Sequence, residues 1–191
     1  KKLDQLLQRE IEINSVKIIV LDDDPTGVQT VHDVSVYTDW SKESIREGMM
    51  EKNKLFYILT NSRGLTKDQT IHVHQTIGKN IAELSKAMEI PCLVISRSDS
   101  TLRGHYPTET QILKDTLEAE GYPEIDGEII CPFFQEGGRF TIDDVHYILD
   151  GQQLIPVGET EFAKDQTFGY HSSNLKEYVE EKTDGIYPKD Q

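Results

Sequence analysis

A chain of 191 residues is long enough for one domain with a real core, and a composition of 36% hydrophobic and 28% charged residues reads as globular and soluble. The formal net charge of −14 repels phosphodiester backbones and anionic lipids, so neither nucleic acid nor membrane is expected as a partner. No run approaches the roughly 18 apolar residues of a membrane span, and the start, KKLDQLLQRE, carries no signal-peptide core, which points to the cytoplasm.

Residues 3–11 read as a short amphipathic helix. VKIIVL (16–21) is a continuous apolar, β-branched run, as expected of a strand covered on both faces. DVSVYT (33–38) alternates as a second strand, and the helix over 41–52 opens on a capping box at Ser41. KLFYILT (54–60) is another buried strand. Residues 66–88 place Ile71, Ile77, Ile81, Leu84 and Met88 at helical spacing. PCLVIS (91–96) is a third buried strand. The helix that follows over 106–120 has Pro107 in its first turn and Gly121 past its end. GEIICPFF (127–134) is a fourth buried strand. Short strands follow, with a turn at Asp150-Gly151, then a last helix capped by Ser172 or Ser173.

Buried strands separated by helices imply βαβ units. The expected fold is α/β and Rossmann-like: three layers, a mainly parallel sheet with helices on both faces, and a short β-rich segment after about residue 135. Residues 1–191 are expected to form a single domain. Cys92 and Cys131 each lie beside an apolar run and read as buried reduced thiols, and no Cys/His spacing suggests zinc or another metal site.

Ligands of open α/β sheets bind beyond the carboxyl ends of the strands. Here the four expected strand ends carry DDDPTG, NSRG, RSDSTLRGH and QEGGR. They supply Asp22, Asp23, Asp24, Asn61, Arg63, Arg97, Ser98, Asp99, Ser100, Arg103 and Arg139. Arginine forks bind carboxylate or phosphate, and aspartates accept hydrogen bonds from hydroxyls or act as bases. The mixture suits a ligand with both an acid group and hydroxyls. Gly27, Gly64, Gly104, Gly137 and Gly138 would let backbone approach it, and DSTLRG would place Ser100 and Thr101 at a helix start. Neither GxxxxGK[ST] nor GxGxxG is present. His72 and His74 read as surface residues of a helix, whereas His105 is a candidate for lining the site.

A competing reading fits the first stretch alone. Asp22-Asp23-Asp24-Pro25-Thr26 matches the D-x-D-x-T of haloacid dehalogenase-type phosphatases, with Asp22 as nucleophile, and FYILTN matches their second motif. No lysine occurs between Ile90 and Leu113, and Asp143-Asp144, the candidate acidic pair, follows a poor strand.

Five blocks, DDPTG (23–27), TNSRGL (60–65), SDSTLRGHYPTE (98–109), GGRFT (137–141) and ETEFAKD (159–165), occur in an order that resembles the four-carbon acid sugar kinase family. The resemblance covers roughly residues 16–182, and DSTLRG is its most specific block. It implies an N-terminal acid-sugar-binding domain, with ATP and Mg²⁺ held mainly by a C-terminal nucleotide-binding domain that this chain does not match. It implies an ATP-dependent phosphotransfer to a terminal hydroxyl of threonate, erythronate or a 3-oxo relative. Asp23 or Asp24 would hold the hydroxyls, and one of the two would be the catalytic group that orients or deprotonates the attacking one. Arg63 and Arg97 would clamp the carboxylate, and Ser98, Asp99, Ser100 and Arg103 would complete the substrate site. Arg97 stands where the family often has lysine, and Asp22 is extra to the usual pattern. Little kinase activity is expected from these residues alone. A homodimer and, as an alternative to the kinase, a non-catalytic sensor of sugar acids are further expectations.

Overall fold

The sheet is built around β1 (Lys17–Asp22), whose apolar run is flanked in parallel by β3 (Leu55–Leu59) on one side and β4 (Cys92–Arg97) on the other. A two-residue strand, β2 (Val36–Tyr37), pairs outside β3 and gives the order β2-β3-β1-β4. The computed structural model describes residues 2–190. The register sets Asp22 level with both Leu59 and Arg97, so the loops after β1, β3 and β4 emerge together. The connection from β1 to β2 and the connection from β3 to β4 run in opposite directions across the sheet. That reversal leaves a crevice at the strand ends, where α/β folds bind ligands.

The helices follow from their sequence signals. α2 (Lys42–Met50) starts where the Ser41 hydroxyl accepts from the Ser44 amide. α3 (Lys67–Met88) starts at a full capping box between Thr66 and Gln69, worth about 1 kcal/mol. α4 (Thr108–Ala119) is followed by Gly121 at φ +89°, a conformation that glycine adopts without strain. Ile19 and Leu21 of β1 and Phe56 and Ile58 of β3 alternate onto one face of the sheet. There they meet Ile45 and Met49 of α2, Val73, Ile77 and Ile81 of α3, and Leu113 and Leu117 of α4. Phe56 is fully buried, and its truncation to alanine would cost about 3–5 kcal/mol. The amphipathic helix α1 (Lys2–Ile13) buries no side chain.

Beyond residue 134 a separate antiparallel sheet forms from β5 (Arg139–Ile142), β6 (Val145–Asp150) and β7 (Gln153–Pro156). Asp143 and Asp144, both at positive φ, make the two-residue hairpin turn, and Gly151 turns the next one. With α5 (Leu175–Lys182) this sheet surrounds a second cluster containing Ile148, Val157, Tyr170, Tyr178 and Leu102. Leu102 comes from the loop after β4, so this small unit braces that loop.

The expected α/β architecture holds: a mainly parallel sheet flanked by helices, with a β-rich segment after about residue 135. Four details differ. Residues 127–133 form no strand; Pro132 offers no amide to a ladder, and Ile129 and Phe133 are exposed. The sheet therefore ends at β4, and Leu93 and Ile95 stay half-exposed. Cys131 is consequently exposed, while Cys92 is partly buried and burial pushes its thiol up. The cap of α5 is Asn174, whose side chain accepts from the Lys176 and Glu177 amides, so neither Ser172 nor Ser173 fills that role. The second strand is reduced to Val36–Tyr37.

Candidate functional site

The three aspartates at the end of β1 meet three different fates. Asp22, the last strand residue, is buried and accepts from the Arg97 guanidinium at 3.3 Å. Its carboxylate packs on the backbone of Gly27, where an added Cβ would lie 1.8 Å from Oδ2. Burial pushes Asp22 up from the usual carboxylate range, opposed by the charge of Arg97. Asp23 is also buried and receives two bonds from one fork: Arg63 Nε donates to Oδ2 at 3.0 Å and a terminal nitrogen to Oδ1 at 2.6 Å. Burial nevertheless raises Asp23 to about 6, with Arg63 pulling down and Glu109 and Asp22 pushing up. Asp24 stays partly open to solvent, with its side chain 26% exposed. Its Oδ1 accepts from the Thr26 amide at 2.8 Å and from the Thr26 hydroxyl, which holds it below the usual range. Its Oδ2 accepts from the second terminal nitrogen of Arg63 at 3.3 Å.

Arg63 sits in a short 3-10 turn, Ser62–Gly64, that follows β3. The turn is entered through Asn61 in the left-handed region, which asparagine tolerates. One guanidinium thus joins Asp23 and Asp24 and approaches Asp99 at 3.9 Å. Asp99 belongs to the loop after β4. Burial opposes its charge, but hydrogen bonds from Arg103 and Thr101 keep it below the usual range. Arg103 also reaches Asp165 at 3.8 Å and lies over the Phe162 ring, and Arg139 lies over the same ring. The loop carries Gly104 at φ +144°, where a Cβ would press on Ser98 at 3.1 Å and come within 3.6 Å of Asp23.

Asp23, Asp24, Arg63, Arg97, Asp99 and Arg103 therefore form one charged network with Asp22 at its base. The three charges of Asp22, Asp23 and Asp24 are offset by Arg97 and Arg63, while Arg103 is spent on Asp99 and Asp165. Asp22 is no spare: it anchors Arg97 and the Gly27 turn. Ser98 packs beside Gly104, and the Ser100 carbonyl accepts from His146 at 2.8 Å. Ser100 and Thr101 precede the helix by a whole loop, since α4 starts only at Thr108. Asp23 and Asp24 both reach Arg63, yet only Asp24 stays open to solvent.

His105 bonds the Leu65 carbonyl at 3.0 Å and stacks edge-on against Phe168. His74, read from the sequence as a surface residue, is buried and faces Glu109. Glu109 and Ser62 are buried polar groups that pattern reasoning passed over, although both lie inside the blocks quoted above. Tyr170 and Tyr178 carry no sequence signal either; their hydroxyls donate to the carbonyls of Thr101 and Leu102 and fix the DSTLRG loop.

A family model described as a sugar-binding N-terminal domain matches residues 18–189. The chain belongs to this family. The motif-based resemblance to the N-terminal domain of four-carbon acid sugar kinases is thereby upheld. In fold, the sugar-binding domain is similar to a crystal structure from Bordetella bronchiseptica, a domain of unknown function (DUF1537) with bound citrate, solved as a domain-swapped dimer. The TM-score is 0.58 at 20% identity, over 85% of this chain and 39% of that one. The sugar-binding domain thus spans about two fifths of that chain's length. No curated protein matches it.

Proposed function

We propose that this sugar-binding domain presents a four-carbon acid sugar, of threonate, erythronate or 3-oxo-tetronate type, for ATP-dependent phosphorylation at a terminal hydroxyl. The observation that carries the reading is the Arg63 fork shared between buried Asp23 and solvent-facing Asp24 at the sheet's switch point. Such a site offers guanidinium N–H donors that an acid group can approach and a carboxylate acceptor for hydroxyls. Asp24, the accessible one, accepts from the substrate hydroxyl and orients it. Asp23 holds Arg63. Arg97, about 30% exposed and bonded to Asp22 through one nitrogen, takes the substrate carboxylate together with Arg63. The loop of Ser98, Asp99, Ser100 and Arg103 closes the site.

Phosphoryl transfer depends mainly on positioning and charge stabilisation, so a held hydroxyl is the main contribution of this half. ATP and Mg²⁺ belong to a nucleotide-binding domain of a longer protein. This chain carries no standard nucleotide loop. Citrate, bound by the structural neighbour, is itself a hydroxy acid. The phosphatase reading is disfavoured by the burial of Asp22, the required nucleophile, beneath Gly27 and Arg97.

Calorimetry with D-threonate, D-erythronate and their 3-oxo relatives tests the proposal. Saturable binding of at least one at pH 7 supports it. Absence of binding by all, with Mg²⁺-dependent hydrolysis of an aryl phosphate that Asp22→Asn abolishes, overturns it.

A further inference from the structure

Three polar side chains that the proposed chemistry does not use are sealed beneath the site. Ser62, His74 and Glu109 are 0%, 1% and 3% exposed. They come from three elements: the turn after β3, the second turn of α3 and the first turn of α4. The Ser62 hydroxyl donates to Glu109 Oε1 at 2.5 Å, and His74 Nε2 stands 3.8 Å from the same oxygen. His74 Nδ1 donates to the Thr70 carbonyl at 2.8 Å, which fixes the ring. Thr60 completes the chain: its hydroxyl lies 3.0 Å from that of Ser62 and donates to the Asp22 carbonyl at 3.0 Å. A carboxylate is costly to bury, and packing alone would be served as well by an apolar residue.

The position of this cluster supplies the reason. Ser62 is the residue before Arg63, and the Arg63 amide donates to the Asp23 carbonyl at 3.3 Å. The groups around Glu109 are the Ser62 hydroxyl, the His74 imidazole, the Asp23 carboxylate and the Tyr178 phenol. Those around Asp23 are Arg63, Asp22 and Glu109, with Asp24 and Asp99 reached through the same guanidinium. We infer that Glu109 is a positioning residue for the site: by accepting from Ser62 it fixes the turn that aims the neighbouring Arg63 at Asp23. This deepens the proposed function, but its geometry stands without any ligand.

The Arg63 Nε–H signal in NMR of the whole chain reads this. It shifts and exchanges faster in Ser62→Ala and in Glu109→Gln, and it recovers in Ser62→Thr, which restores the donor. Where D-erythronate binds the native chain, Ser62→Ala weakens it about tenfold, the worth of one buried hydrogen bond. An Arg63 Nε–H signal unchanged in a folded Glu109→Gln overturns the inference. If that variant does not fold, an Arg63 Nε–H signal indifferent to Ser62→Ala overturns it. Failure of the native chain to bind any acid sugar counts against the functional proposal and leaves the NMR reading in force.

Discussion

Arg63 holds Asp23 through two parallel hydrogen bonds of 3.0 and 2.6 Å, and that pair sits where the loops from β1 and β3 meet. The aspartate is sealed and the arginine is not: their side chains are 3% and 21% exposed. Removing the arginine would strand a buried carboxylate. Arg63→Ala is therefore expected to lower stability by about 3 kcal/mol. Urea unfolding at pH 7 measures this, and Arg63→Lys, which keeps the charge but not the fork, should fall between the two.

The raised Asp23 also predicts a pH dependence of stability. The group is set at about 6 in the folded chain against 3.8 as its ordinary value. Below pH 3.8 both states keep the proton. Between 3.8 and 6 the folded state holds a proton that the unfolded state has lost, so this group's contribution falls as pH rises, then levels off above about 6. The total loss is on the order of 3 kcal/mol. Asp24 and Asp99, both held low, slope the other way. Subtracting the curve of Asp23→Asn from that of the native chain over pH 4 to 7.5 isolates the Asp23 contribution.

Gly27 is the close approach on which the Asp22 anchor depends. A methyl there would overlap the Asp22 carboxylate and displace it from Arg97. Gly27→Ala is expected to cost about 1–3 kcal/mol. It should also weaken acid-sugar binding through Arg97, as thermal melting and calorimetry on the same sample would show.

The cysteines report on the segment that departs from the sequence pattern. Exposed Cys131 is expected to react with a maleimide at least about tenfold faster than Cys92, whose thiol burial pushes up. Mass spectrometry of timed digests gives the two rates. Equal rates would mean that residues 127–134 are packed as the apolar pattern alone suggests.

That segment shows where the sequence is a poor guide. IICPFF has the composition of a buried strand, but composition does not say whether a neighbouring edge accepts it, and Pro132 removes one of its donors. The strands β1, β3 and β4 were legible because their apolar runs are continuous, and the polar residues after them mark the site because they follow those runs directly. The roles within DDD were not legible. Which aspartate is buried, and which arginine each meets, depends on the turn at Gly27 and on the left-handed Asn61, and neither leaves a periodic trace. The buried Ser62–Glu109–His74 cluster was hidden for a related reason: polar residues on helices read as surface until a partner from another element closes over them.

The most direct test of the central claim is amide and arginine side-chain NMR of the native chain titrated with D-erythronate and D-threonate. The account predicts saturable shifts centred on Asp23, Asp24, the Arg63 and Arg97 side chains and residues 98–103, and their loss in Arg97→Ala. Saturable shifts confined to residues remote from these strand ends, or unaffected by Arg97→Ala, would contradict it.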